Sequence, residues 1–311
     1  MGKTLTYRVR RDTRGVRALA CAIALAILSA DAGAQSPENA ESPPGAASEP
    51  TIDTVTVEAR RRRELLERQL SEFVTEITVP VRHESLARWQ VPICPLVAGL
   101  PFEEGKLVFQ RVSQIASDAG LPLGSPTCNP NLFIVMTREP EALLGEWWDA
   151  QPRLFNKDRG VAGIKRTIRT PAPVRVFYNA CSVPSELAKT FAVRVTHQCG
   201  APAIPGTRLT RSTVRVLYLV IVVVDKTETE DLALQPLTDY IAMNALAHLR
   251  RDPDVGNAPT ILALFDETVR PPPQALSPWD RGFLKSLYDT DSSGVLHRSE
   301  IKERMKRDLA R

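Results

Sequence analysis

Histidine is scarce in this chain, four in 311 residues, and aromatic side chains make up only 6%. No HExxH pair is present, because His83-Glu84 is followed by Ala87 where a second zinc ligand would stand. Nor is there a GxSxG elbow, a P-loop or a glycine-rich dinucleotide turn. Those absences remove the motif-bearing serine hydrolases, phosphate-loop NTPases and Rossmann oxidoreductases. Cysteines at CxxC spacing are missing too, which removes zinc knuckles and thioredoxin-type redox pairs. No apolar run approaches the ~20 residues of an ordinary membrane-spanning helix, and no internal repeat is present. Of the histidines, His248 sits in an apolar helical pattern and reads as a core or helix-end residue. His197 stands beside Cys199, a thiol expected to be oxidised.

Excess charge is also missing from the body of the chain. The net charge is +4, but residues 1–34 alone hold six basic and two acidic side chains, so the remainder is neutral. No nucleic-acid partner is expected. The same 34 residues have the build of a secretory signal. A basic stretch ends at Arg17, an apolar run covers 18–28, and Ala32-Gly33-Ala34 precedes Gln35. Cys21 belongs to that leader. Export to the periplasm or cell surface leaves Cys94, Cys128, Cys181 and Cys199 in an oxidising compartment, where an even number implies two disulfides. Of the three connectivities open to four cysteines, Cys94 with Cys128 and Cys181 with Cys199 each close a local loop and are preferred.

Residues 35–50 are rich in Pro, Ser, Ala and Glu and read as a disordered linker. Residues 52–57 alternate as a short edge strand, and a helix starts at the basic run Arg60, Arg61, Arg62 and Arg63. Leu66, Leu70, Phe73, Val74 and Ile77 share one face of that helix. The run could meet an envelope partner or simply be solvated. A second amphipathic helix carries Val108, Val112 and Ile115 and ends near Gly120. Leu132–Thr137 is a short apolar strand, 141–148 a third helix, 151–172 basic and irregular, and 174–178 a strand. Residues 188–195 fit helix and strand equally. The continuous run 214–224, VRVLYLVIVVV, predicts a central strand covered on both faces. It is followed by a helix over 237–249 that is apolar nearly all round and so deeply buried. Ser277-Pro278-Trp279-Asp280 has the chemistry of a helix start. The expectation is an α+β fold with a mixed sheet, a core domain over 51–270 and a helix–loop–helix over 274–311 packed on it.

The sharpest chemical pattern is DTDSSGVLHRSE at 289–300, which resembles the twelve-residue calcium loop of an EF-hand. Oxygen ligands are expected from Asp289, Asp291, Ser293, the Val295 carbonyl and Glu300, with Gly294 at the sharp turn. Ca²⁺ is the implied cofactor. Two features depart from the pattern. His297 stands at position 9, where a small oxygen-bearing side chain is usual, and no second loop pairs with the first, since 225–236 lacks the central glycine.

Two resemblances are wider. RWQVPICPLVAGL, CNPNLFIVMT, LTDYIAMNALAHL and SPWDRGFLKSLY resemble an uncharacterised family of secreted proteobacterial proteins over most of 52–311. The order of long strand, buried helix and LSPWDRGFLKSLY helix resembles a degenerate zincin-type metallopeptidase. That likeness implies a catalytically dead copy, because the helix lacks the glutamate base and offers only His248. The expected function is an exported, non-catalytic envelope protein with a structural calcium loop. The alternatives are a metallopeptidase-derived protein and an adaptor using the basic helix.

Overall fold

The thirteen-residue strand β5 (Thr213–Asp225) is the axis of the fold. In the computed structural model, which describes residues 52–79, 85–155, 160–188, 205–294 and 296–309, three other strands pair directly with it. The segments expected to be a signal and a linker, 1–34 and 35–50, lie outside the described residues. β4 (Val174–Pro184) runs antiparallel along one side of β5 for its whole length. The other side is shared end to end. β1 (Arg88–Trp89) is parallel to β5 at Val216 and Leu217, and β3 (Leu132–Thr137) is parallel to it from Val220 to Asp225. β2 (Pro95–Ala98) adds to the far side of β3, and α2 (Phe102–Asp118) is the crossover between them. The result is a mostly parallel five-stranded sheet with helices, an α+β fold as expected.

Both faces of β5 are covered, which is why its sequence shows no alternation with polar residues. Val220, Val222 and Val224 enter the larger core with α1 (Ile52–Ile77), α2 and α5 (Leu234–Leu246). Ile221 and Val223 face the smaller core, with Leu144 of α3 (Pro140–Ala150) and Ile164 and Ile168 of α4 (Gly160–Arg169). The pairing with β4 skips Tyr218, since Asn179 opposes Leu219 and Ala180 opposes Leu217. One extra residue reverses the side-chain alternation, and Leu217 joins the larger core along with Val220. Helix α5 is buried along its length, as its all-round apolar sequence requires.

Two sequence expectations need correction. Residues 52–57 are the first turns of α1, not an edge strand, so the helix begins eight residues before the arginine run. Extending an existing helix adds one hydrogen bond per residue, while a six-residue strand with no neighbour gains none. The basic stretch after 150 is less irregular than its composition suggests, since it contains α4. The segment 188–195 lies outside the described residues except for Ala188, which ends a single helical turn, Ser185–Ala188.

Residues Thr51–Arg311 form one compact unit. The C-terminal pair, α6 (Pro278–Asp289) and α7 (His297–Leu309), belongs to its core: Phe283, Leu284, Leu287, Ile301 and Met305 are all at most 1% exposed within the larger cluster. Helix α6 starts as its sequence implies. The Ser277 hydroxyl accepts from the Asp280 N–H at 3.1 Å, and Asp280 accepts from the Ser277 N–H at 2.8 Å. Asp280 is fully buried and also accepts from the Thr260 hydroxyl at 2.5 Å and the Ile261 N–H at 2.9 Å. Burial pushes its carboxyl up, against the pull of those donors.

Cys94 and Cys128 form the expected disulfide, with Cα atoms 6.1 Å apart. Asn131 closes the same turn, its side chain accepting from the Cys94 N–H at 2.7 Å and donating to the Pro92 carbonyl at 3.0 Å. Cys181 is disulfide-bonded as well, and Cys199, its expected partner, lies outside the described residues.

Candidate functional site

The loop between α6 and α7 lies against the end of β1, and the alternation of a strand explains how. In Arg88-Trp89-Gln90, Trp89 points one way and donates its indole N–H to the Ala245 carbonyl at 3.0 Å. Arg88 and Gln90 point the other way, into the loop. One Nη of Arg88 donates to the Leu287 carbonyl, to Tyr288 O at 3.3 Å and to Thr290 O at 2.8 Å. Leu287 and Tyr288 carry intrahelically unpaired carbonyls of the last turn of α6 and Thr290 caps it, so a cation is favoured there by the helix dipole as well as by the bonds. Gln90 Nε2 donates to Ser292 Oγ at 3.1 Å. From the opposite side, the Arg211 N–H donates to Ser293 O at 2.8 Å, and Thr210 forms an antiparallel bridge with Gly294.

The residues expected to hold calcium are placed as follows. Asp289 is the last residue of α6, and it, Asp291 and Glu300 are exposed. Asp291 turns onto its own loop, accepting from the Ser293 N–H at 2.9 Å and the Ser293 hydroxyl at 2.7 Å. Ser293 is buried, and Val295 lies outside the described residues. Gly294 does not adopt the left-handed backbone of the other turn glycines such as Gly120, so its glycine is not demanded by φ. Among the described residues, no three His, Cys, Asp or Glu side chains come together in a way that could hold a metal ion. Two guanidinium groups reach the loop, the buried one of Arg88 and that of Arg211, whose Nε donates to Gly294 O at 3.4 Å.

Electrostatics follow from that placement. Burial pulls the Arg88 guanidinium down, while Tyr288, Asp291 and Asp289 pull it up; an arginine remains charged throughout. His297, at position 9, is 1% exposed, and neither ring nitrogen has a hydrogen-bond partner. Burial, then the positive charges of Arg88 and Arg211, push its pKa down to about 3. His297 is therefore a neutral core residue of the loop. Sequence reasoning missed Arg88 and Gln90, and no local pattern could have revealed them, because their partners lie some 200 residues away.

The zincin-type expectation concerns one histidine, His248. His248 lies beyond the end of α5, its ring 4.5 Å from that of Tyr178. His83 and His197 lie outside the described residues. The basic run Arg60, Arg61, Arg62 and Arg63 falls in the first half of α1, where every residue from 57 to 65 is exposed. No described helix is long and apolar enough to cross a membrane. No family model, curated protein or solved structure matches this chain.

Proposed function

We propose that the chain is an exported envelope protein that acts by binding, not catalysis, and that its 289–300 loop is a structural clasp closed by Arg88. The observation that carries the clasp is the buried Arg88 guanidinium on the carbonyls of Leu287, Tyr288 and Thr290. A fixed positive charge beside Asp289 and Asp291 supplies what a calcium ion supplies in an EF-hand, and it opposes a second cation there. The leader-like sequence and the disulfide between Cys94 and Cys128 support export.

Calcium binding by the same loop is the second reading, and one observation favours it. A Cβ added at Gly294 would lie 3.4 Å from Glu300 Oε1, so the position-12 carboxylate folds over the loop as the motif requires. Melting of the full chain with calcium and with chelator separates the two readings. The clasp predicts the same melting temperature in both and a large drop for Arg88→Met. A rise in calcium that Glu300→Ala abolishes would establish the calcium clip instead.

The adaptor reading concerns a different part of the molecule. The exposed basic turns of α1 suit an acidic surface on another envelope protein, and pull-downs with and without residues 35–63 test it.

A further inference from the structure

A cleft with about 140 Å³ of space opens between α4, the start of β4, and the segment that follows α5. Among the described residues, three guanidinium groups border it, Arg175, Arg250 and Arg251, with Asp252 in the lining and Glu76 paired to Arg250. Arg175 and Arg250 are each held in place by hydrogen bonds to the protein. Arg175, 5% exposed, donates from Nε to Thr170 O at 3.1 Å and from Nη1 to Ala172 O at 3.2 Å. Arg250 donates from Nη1 to Glu76 at 3.1 Å and from Nη2 to Thr75 O at 3.3 Å, while its Nε is buried and finds no acceptor. Arg251 donates to the Thr167 hydroxyl. Tyr240 adds a neutral hydroxyl, since burial and nearby Asp252 push its pKa up to about 12. Val174, Val176 and Leu262 form an apolar wall.

We propose that this cleft binds a small organic oxyanion, a carboxylate or phosphate on a short apolar body. Guanidinium groups pre-oriented by protein acceptors present planar donors to such an oxygen pair without first losing side-chain freedom. The apolar wall takes the body of the ligand, and the cleft is well below the ~300–1,000 Å³ of sites for drug-sized molecules. The site is independent of the C-terminal loop and stands whether or not calcium binds there.

Calorimetry on the full chain with butyrate and with n-butyl phosphate, against sodium chloride at equal ionic strength, tests it. One or both probes bind one to one, and the stronger binder identifies the head group. Arg251→Ala, an exposed substitution, weakens that binding about tenfold or more, and Arg175→Gln does the same where the variant folds. Lys285→Ala, in the separate groove beside Leu276 and Leu309, leaves it unchanged. Absence of heat beyond the chloride control for both probes, or binding that Arg251→Ala does not weaken, overturns the proposal.

Discussion

Arg111 and Asp239 face each other as a fork. Nε and Nη2 of the arginine donate to Oδ1 and Oδ2 of the aspartate at 2.6 and 2.7 Å. Asp239 is fully buried within α5, and its Oδ2 also accepts the Leu276 N–H at 2.8 Å, just before α6. One carboxylate thus fixes α2, α5 and the entry to α6. Its hydrogen bond to Asp239 is the main influence raising the Arg111 guanidinium further. Arg111→Ala leaves a buried carboxylate with one backbone donor and should cost about 2–4 kcal/mol in urea unfolding. Arg111→Lys should recover less than half of that, because an ammonium cannot make the two parallel bonds. Full recovery by lysine would mean that charge alone matters there.

Elements whose identity is set by their own residues were legible in the sequence. The run 214–224 and the helix after it are buried on all sides, so their composition alone betrays them, and Ser277 and Asp280 cap a helix with only local partners. Residues 52–57 misled because alternating threonine and valine carry strand preference, which the helix growing back from the arginine run overrides. Helix α4 hid because Ile164 and Ile168 are its only buried apolar anchors in a basic stretch. The loop motif was legible in its spacing, but the arginine that closes it was not. Arg88 acquires its role only when β1 is laid beside the end of α6.

His297 makes the stability of the loop depend on pH. Its folded pKa of about 3 lies below the ordinary histidine value of about 6.5 in the unfolded chain. Between those values the unfolded chain takes up a proton that the folded chain refuses. Stability from this group is therefore fully present above pH 6.5 and is lost progressively as pH falls toward 3. Between pH 6.5 and 5 the loss should be roughly 2 kcal/mol. Urea melts of the wild type and of His297→Leu over that range check this. The leucine variant should show the shallower slope, and equal slopes would refute the burial of an unpartnered ring.

The disulfide between Cys94 and Cys128 joins residues 34 apart in sequence. By the loop-entropy relation, removing that constraint from the unfolded chain lowers stability by about 3–4 kcal/mol. The double variant Cys94→Ser, Cys128→Ser should show this loss in denaturant without added reductant. Gly124→Ala should also destabilise, because a Cβ there would lie 2.6 Å from the Cys128 sulfur. If the serine pair melts with the wild type, Asn131 alone holds the turn.

The exposed start of α1 should be dispensable for folding and decisive for a partner. Arg60 pairs with Glu64 at 3.1 Å with both side chains more than half exposed, an arrangement worth only about 0.3–0.5 kcal/mol. Replacing Arg60, Arg61, Arg62 and Arg63 together by alanine should leave the melting temperature within about 2 °C of wild type. Removing four positive charges from one turn of an extended helix should nonetheless abolish salt-sensitive capture of an acidic envelope protein. Pull-downs from envelope extract with the wild type, the alanine variant and a chain lacking residues 35–63, each at low and high salt, distinguish the roles. Loss of the same captured protein in both variants, with folding intact, assigns the contact to the basic turns. Capture that survives the alanine substitutions removes the adaptor role from these arginines.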